Sequence, residues 1–450
     1  MDSKTFHHAL KIQKEQCIGC SHCMNICPTE AIRVRNGKAE LFENRCIDCG
    51  ECFRVCPVNA IIIEQDDFNK IFQYKYRVAL LPAVFSGQFP EEVKTTQIYD
   101  VLLDLGFTDV YEVEHGVEIL KNAMQEFVRV HDDNKPMISS FCPAVIRLIQ
   151  VKFPALTENI ISLHPPLDIA AVYYKKMLMD KGIDESDIGI FYVTPCAAKI
   201  AAVKSPVGNE QSPINGVINM DFIFNKVYTN IRRGDFQQSQ NIDKEQLAPE
   251  GVLWSLTNGE IDNMKGRCLA IDGVHNVIDF LEKIENEEIK DVDFLELRAC
   301  DESCAGGVLT TKNRFITVER LKKRANHYKQ YKANNNKQNI LNYKDFLKKN
   351  ISIGKIKPRS MMKLDENMAE AMKKMRRVKE IMKCLPDVDC GACGAPNCQA
   401  LAEDIVQERA VINHCVFIQK IFEKKGILDW EQSHDIMKEI WGDDKLNRKC

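Results

Sequence analysis

The chain has 450 residues, 61 lysines and arginines against 64 aspartates and glutamates, and 19 cysteines. That length suggests two to four domains at about 100–200 residues each, and a net charge of −3 excludes a nucleic-acid binder defined by its overall field. No apolar run approaches the roughly 18–20 residues of a membrane span, and an odd cysteine total without an export signal points to metal ligands rather than disulfides.

Met1 to Gln16 is polar, with His7, His8 and several lysines, and lacks the apolar core of a signal peptide, so a cytoplasmic location is expected. Two copies of one pattern follow. Cys17, Cys20, Cys23 and Cys27 form C-x2-C-x2-C-x3-C before Pro28, and Cys46, Cys49, Cys52 and Cys56 repeat it before Pro57. The run resembles that of bacterial two-cluster ferredoxins. Three thiolates two residues apart curl around one corner of a cubane, and the fourth ligates the other cluster. Cys17, Cys20, Cys23 and Cys56 are thus expected to hold one [4Fe–4S] cluster, and Cys46, Cys49, Cys52 and Cys27 the second. Thr29-Glu-Ala-Ile and Val58-Asn-Ala-Ile extend the repeat, each placed as a short helix leading to a strand. Zinc or structural disulfides are the weaker reading of a doubled eight-cysteine match. A ferredoxin-like α+β domain is expected over residues 1–66.

The block from 74 to 328 is poor in cysteine and reads as alternating strands and helices. Arg77 to Leu81 and Ile188 to Val193 are apolar runs of strand type, and Glu92 to Leu105 and Asp168 to Lys181 look helical, which predicts α/β architecture. Four cysteines have distinctive settings: Ser139-Ser-Phe-Cys142-Pro143, Thr194-Pro195-Cys196-Ala-Ala-Lys199, and Cys300-Asp-Glu-Ser-Cys304-Ala-Gly306-Gly307. Pro143, Pro195 and the two glycines would shape loops around one further cubane. Cys268 has no such setting and is expected to be a core thiol.

These three motifs resemble the catalytic H-cluster domain of [FeFe]-hydrogenases. The resemblance implies that Cys142, Cys196, Cys300 and Cys304 bind a [4Fe–4S] cluster. It also implies that Cys304 bridges to a diiron unit carrying CO, cyanide and a dithiolate, and that Lys199 donates a hydrogen bond to one cyanide. Several positions depart from the family pattern. Phe141 stands where a proton-relaying cysteine is usual, and Ala202 where a relay glutamate is usual; Thr194 and Arg298 replace methionines, and Ser303 a glycine. Proton delivery needs groups within hydrogen-bond reach and of suitable pKa, so the usual relay is interrupted at Phe141 and Ala202. Two readings follow. One is a slow hydrogenase or H2/redox sensor that resembles the sensory branch of the family, which shares the ferredoxin and C-terminal four-cysteine domains. The other is an electron carrier or cluster scaffold in which Phe141 and Arg298 fill the diiron space.

From Leu321 to Lys383 there are 19 Lys+Arg against 5 Asp+Glu, a strongly basic stretch in a chain of near-neutral total. An Asn-rich patch lies at 333–340. Met361, Leu364, Met368, Ala371, Met375, Val378, Met382 and Leu385 then recur at 3-4-3-4 spacing, and Pro386 ends the run. The basic linker and amphipathic helix are assigned to 329–385. The helix is either a homodimer contact through 361–385 or, preferred, one lying on its own domain. The last domain, 386–450, is expected to be small and helical. There Cys390, Cys393, Cys398 and Cys415 read C-x2-C-x4-C-x16-C, with Gly391 and Gly394 leaving the backbone room to wrap a cluster, and Gln399 to Asn413 looks helical. The spacing resembles that of a small [4Fe–4S] domain of anaerobic redox proteins, with zinc as the rival. Sixteen cysteines thus form four sets of four, and Cys268, Cys384 and Cys450 are left over. The partners implied are a ferredoxin or other redox protein, H2, and maturation proteins if a diiron unit is present, with no membrane and no nucleic acid.

Overall fold

Two antiparallel strand pairs carry the eight-cysteine segment: β1 (Leu10–Ile12) with β4 (Ile61–Ile63), and β2 (Ile32–Arg35) with β3 (Lys38–Leu41). Asn36 and Gly37 join β2 to β3 with φ of 50° and 68°, the two-residue turn whose twist suits a hairpin. Short helices His22–Ile26 and Glu51–Val55 follow the second cysteine of each run. They stop at Cys27 and Cys56, where a following proline drives the backbone extended. The computed structural model describes residues 6–131, 135–208, 211–237, 247–330, 339–359, 364–365 and 367–446. Met361, most of the Asn-rich patch and Cys450 lie outside these residues.

The chain divides into two compact units, one of residues 10–63 with 359–450 and one of 1–9 with 64–358. In the first, helices Met368–Met382, Cys398–Val406, Val416–Lys424 and Trp430–Trp441 follow the strand pairs. Val378, Leu385, Ala395, Leu401 and Ile418 pack into one core. Only the later turns of the 368–382 helix meet that core; Met368, Met372 and Met375 are exposed. The helix expected over 399–413 ends at Val406. Glu408 takes a left-handed φ of 59°, and a short turn over Ile412–His414 delivers Cys415.

Buried ion pairs tie the two chain segments of this unit together. Arg33 Nε donates to Asp404 at 2.8 Å, Arg35 Nη2 to the same carboxylate at 2.9 Å, and Arg45 Nη2 to Glu403 at 2.5 Å. The backbone joins in: Val34 N–H donates to Gly394 O, Asn36 N–H to Glu439 O and Gly37 N–H to Ile440 O.

The second unit is built on parallel strands. β5 (Tyr76–Leu81), β6 (Asp109–Glu112), β8 (Ile188–Thr194) and β9 (Gly216–Asn219) form a sheet in the order β6–β5–β8–β9. β7 (Met137–Ile138), β10 (Cys268–Asp272) and β11 (Phe294–Arg298) form another in the order β10–β11–β7. Every residue of β8 and β11 is buried, as expected where both faces are covered. The expected helices appear as Thr95–Asp104 and Pro166–Asp180, so the mixed α/β class holds. Cys268 is a correction. It opens the edge strand β10 and is half-exposed, its thiol donating to Lys265 O and Gly266 O rather than packing in a core. No described helix is long and apolar enough to cross a membrane.

The parallel topology positions the cysteine motifs. Cys142, Cys196 and Cys300 follow the carboxyl ends of β7, β8 and β11, where parallel α/β sheets gather ligands.

Candidate metal centre

In the 10–63 segment, a cavity is lined by Cys27, Cys46, Cys49 and Cys52 together. Cys17, Cys20 and Cys56 each act electrostatically on Cys23. Burial, then the neighbouring thiols, push Cys23 up to about 12. Burial likewise raises Cys46, Cys49 and Cys52. Backbone N–H groups already point at sulfur: Ala31 at Cys27 (3.2 Å), Ala60 at Cys56 (3.2 Å), Ala39 at Cys17 (3.3 Å) and Asp48 at Cys46 (3.4 Å). Ala31 and Ala60 occupy equivalent places in the repeat. Crowded buried thiols, none in a disulfide, with amides aimed at sulfur are a donor set suited to an iron–sulfur core, which takes them as thiolates.

The C-terminal set is held by a tight loop. Cys393, Cys398 and Cys415 are buried and Cys390 is exposed. Asp389 accepts from Cys398 N–H at 2.7 Å, and Trp441 Nε1 donates to Ala392 O at 2.8 Å. Gly394, with φ +70°, lies so close to the hairpin that a Cβ would stand 2.3 Å from Val34 O. Burial pushes Cys393 up to about 11, with Cys390 and Cys415 adding to the rise. Cys384 is exposed on the turn after the 368–382 helix.

In the second unit, Cys142 and Cys196 each sit at a helix N-terminus, before Pro143–Lys152 and Ala197–Lys204, where the helix dipole favours anionic ligands. The Cys300–Cys304 loop docks on the second motif. Gly307 leaves no space for a Cβ against Pro195 O (2.4 Å), and Leu309 N–H donates to that oxygen. Glu302 and Ser303 adopt left-handed φ of 58° and 52° between the two cysteines. They are pinned there, since Glu302 N–H donates to Asp272 at 3.0 Å and Ser303 Oγ lies 2.9 Å from Thr257 Oγ1. Cys304 and Cys142 both act electrostatically on Cys196, which burial pushes up to about 12.

Lys199 is half-buried in the midst of this site. Its Nζ donates to Tyr192 Oη at 3.3 Å and to Cys304 Sγ at 3.8 Å, and stands 4.7 Å from the centre of the Phe141 ring. Burial works against its charge, but Cys304, Tyr192 and Cys196 outweigh it and hold Lys199 protonated. Phe141, Ala202, Lys199, Tyr192 and Glu114 line one cavity of about 90 Å³. A half-buried ammonium beside Cys304 fits an anionic ligand on that side of a metal group, which is what a cyanide-bearing diiron unit would offer. Phe141 and Ala202 present only apolar surface.

Arg298 is 2% exposed and its guanidinium lies 3.9 Å from the Phe141 ring centre. Two buried carboxylates answer its charge, Glu260 at 3.0 Å and Glu296 at 3.5 Å. Burial pushes both carboxyls up, Glu260 to about 7, against the pull of Arg298. Ser139 Oγ donates to Glu260 and accepts from Phe141 N–H, tying the first motif to the network.

Sequence reasoning missed four of these groups. Glu296 was open to discovery, two residues from Arg298 on one strand and so on the same face. Glu260 and Tyr192 carry no local signal. Neither does Glu114, whose Oε2 accepts from Ala83 N–H at 2.8 Å and whose carboxyl burial pushes up to about 8, with Glu112 repelling it.

Comparison with known proteins places this arrangement. The sequence profile of the iron-only hydrogenase large subunit, C-terminal domain, matches residues 75–224 and 208–308. A 4Fe-4S dicluster domain profile matches 9–66, and an Fe-S cluster profile matches 385–417. No curated protein matches the chain. Solved structures include a variant of [FeFe]-hydrogenase HydA1 from Chlamydomonas reinhardtii, 15% identical, with 66% of this chain and 96% of that one covered at a TM-score of 0.49. An [FeFe]-hydrogenase studied for oxygen inactivation of the H cluster gives 15%, 66%, 96% and 0.47. A HydA structure from a study of stepwise H-cluster assembly gives 14%, 66%, 97% and 0.45.

Proposed function

Because the chain belongs to the iron-only hydrogenase large-subunit family, we propose that it is a four-cluster redox protein of low hydrogen turnover, or an H2/redox sensor. The observation that carries this reading is Lys199, half-buried and held charged 3.8 Å from Cys304 Sγ at the edge of a cavity.

Cys142, Cys196, Cys300 and Cys304 would hold a [4Fe–4S] cluster, with Cys304 shared by a diiron unit. That unit, when bound, supplies the heterolytic making or breaking of H2. Lys199 would hold it through a charge-assisted hydrogen bond and is itself fixed by Tyr192. Phe141 and Ala202 exclude water and offer no proton, which limits turnover. Glu114, neutral near pH 7, holds a proton on its carboxyl at the cavity wall. The ferredoxin-type and C-terminal cysteine sets would hold clusters that pass electrons to or from a ferredoxin-like partner.

The Arg298–Phe141 stack favours a second reading, in which these two side chains take the place of the diiron unit and leave an electron carrier. Infrared spectroscopy after expression with hydrogenase maturation proteins separates the two. Bands of iron-bound CO and cyanide, with iron above about 16 per chain, are expected. About 16 irons without those bands would overturn the hydrogenase reading.

A further inference from the structure

The β2–β3 hairpin carries two cations on neighbouring strands, and each reaches a different cysteine loop. Arg35 and Lys38 are cross-strand partners in the antiparallel register. Lys38 Nζ donates to Cys17 O at 2.7 Å, while Ala39 N–H, next along the strand, points at Cys17 Sγ. Arg35 turns to the other end of the chain: its Nη1 donates to Cys393 O at 3.2 Å and Gly394 O at 2.8 Å. The two loops close on this hairpin from both directions. A Cβ on Gly19 would meet Gly37 O at 2.1 Å, one on Gly394 would meet Val34 O at 2.3 Å, and one on Gly391 would come 3.1 Å from Met24 Cε, beside Cys23. Arg35 is largely buried, so its charge is weakly screened. Asp404 accepts from both Arg33 and Arg35, which leaves Arg35 tied to its place by one carboxylate.

We propose that this hairpin is an electrostatic bridge that makes the Cys17–Cys20–Cys23–Cys56 site and the Cys390–Cys393–Cys398–Cys415 site a coupled redox pair, Lys38 favouring the reduced form of the first and Arg35 that of the second. The inference rests on the reading that both sets hold [4Fe–4S] clusters. Each reduction adds one electron and one negative charge, with no proton and no bond change in the protein. A fixed cation close by favours that added charge, and a charged neighbour cluster opposes the next one.

The test is a potentiometric titration of the full chain with a low-potential chemical reductant, followed by electron paramagnetic resonance. Cys393→Ser first identifies the C-terminal signal, by losing it together with about four irons. In the otherwise intact chain, Arg35→Gln is expected to lower the reduced-to-oxidised ratio of that cluster about tenfold at fixed potential, about 59 mV for one electron. Lys38→Gln should act chiefly on the Cys17 cluster. Asp404→Asn removes the opposing negative charge and should move the C-terminal cluster the other way, while Arg35→Lys should stay near the wild type. Opposite signs from Arg35→Gln and Asp404→Asn are not what a loosened fold would give. If Cys393→Ser loses iron but neither Arg35→Gln nor Asp404→Asn moves a potential, the bridge is refuted and the cluster reading stands. If neither Cys393→Ser nor Cys393→Ala, which removes the donor outright, loses iron, the cluster reading itself fails.

Discussion

In the unit of residues 10–63 and 359–450, Arg33, Arg35 and Arg45 meet Asp404 and Glu403 across the two chain segments that carry the ferredoxin-type and C-terminal cysteine motifs. In the other unit, Arg298 is buried just as deeply, but against Glu260, Glu296 and the ring of Phe141. The first set of ion pairs joins distant segments and touches the cysteine loops only through backbone carbonyls. The second set lies against the candidate reaction cavity and needs two carboxylates to neutralise one substituted arginine. Buried charge thus joins distant chain segments in one unit, while in the other it lines the candidate cavity.

The largest effect that would sharpen this contrast is Cys304→Ser. Iron is expected to fall by about four per chain, or about six where a diiron unit is bound, any CO and cyanide bands should vanish, and the ferredoxin-type signals should remain. Loss of all clusters instead would mean that the two units do not assemble their metal independently. Next comes Arg298→Ala, which leaves Glu260 and Glu296 facing each other in the interior at a cost of about 3–5 kcal/mol. Arg33→Ala in the other unit should cost less, about 1–3 kcal/mol, because Asp404 keeps Arg35. Denaturant midpoints followed by circular dichroism give both numbers. The triple change Arg298→Met, Glu260→Gln, Glu296→Gln should recover most of the first loss, since it removes the charges together.

How far the sequence reveals this depends on distance along the chain. The cysteine runs are local patterns, and their spacing is read directly along the chain. β5 and β8 were legible as well, since their buried apolar runs have no other use. The Arg33–Asp404 pair spans 371 positions, and neither residue differs locally from a surface charge. Phe141 and Arg298 were each visible as departures, yet their stacking was not, because only the fold brings the strand end of β11 over the first motif. The repeat from 361 to 385 promised one continuous buried stripe. Met368 and Met375 are exposed instead, since the core that Val378 and Leu385 reach ends before them.

A smaller effect tests whether the reaction cavity is as dry as its lining suggests. Glu114 has a folded-state pKa of about 8, above the ordinary carboxyl value, because of burial and then Glu112, with Lys199 opposing. A raised carboxyl stabilises the fold below its unfolded pKa and loses that contribution as pH rises through the folded one. Between pH 6 and 8 the stability of this unit should therefore fall by about 2–3 kcal/mol. Glu114→Gln should flatten that slope, read as thermal midpoints across the range. An unchanged slope would mean that water reaches the carboxyl and the cavity is wet.

The smallest expected change is also the one aimed most directly at the substituted motif. Phe141→Cys places a thiol where the ring now lies between Arg298 and Lys199, 3.9 and 4.7 Å from its centre. Two cations beside a thiol lower its pKa and favour proton exchange near neutral pH, so the substitution restores a carrier in a field suited to it. Ala202 still interrupts the usual path, which caps the gain. In the matured protein, hydrogen evolution should rise by at least about twofold, with Phe141→Cys/Ala202→Glu rising further. Phe141→Ala is the control, because it opens the same space without a titratable group. If the alanine variant matches the cysteine variant, Phe141 limits access rather than protons. If neither rises, proton supply is not what holds this cavity back, and the Arg298–Phe141 stack marks a site that has given up hydrogen chemistry for electron transfer.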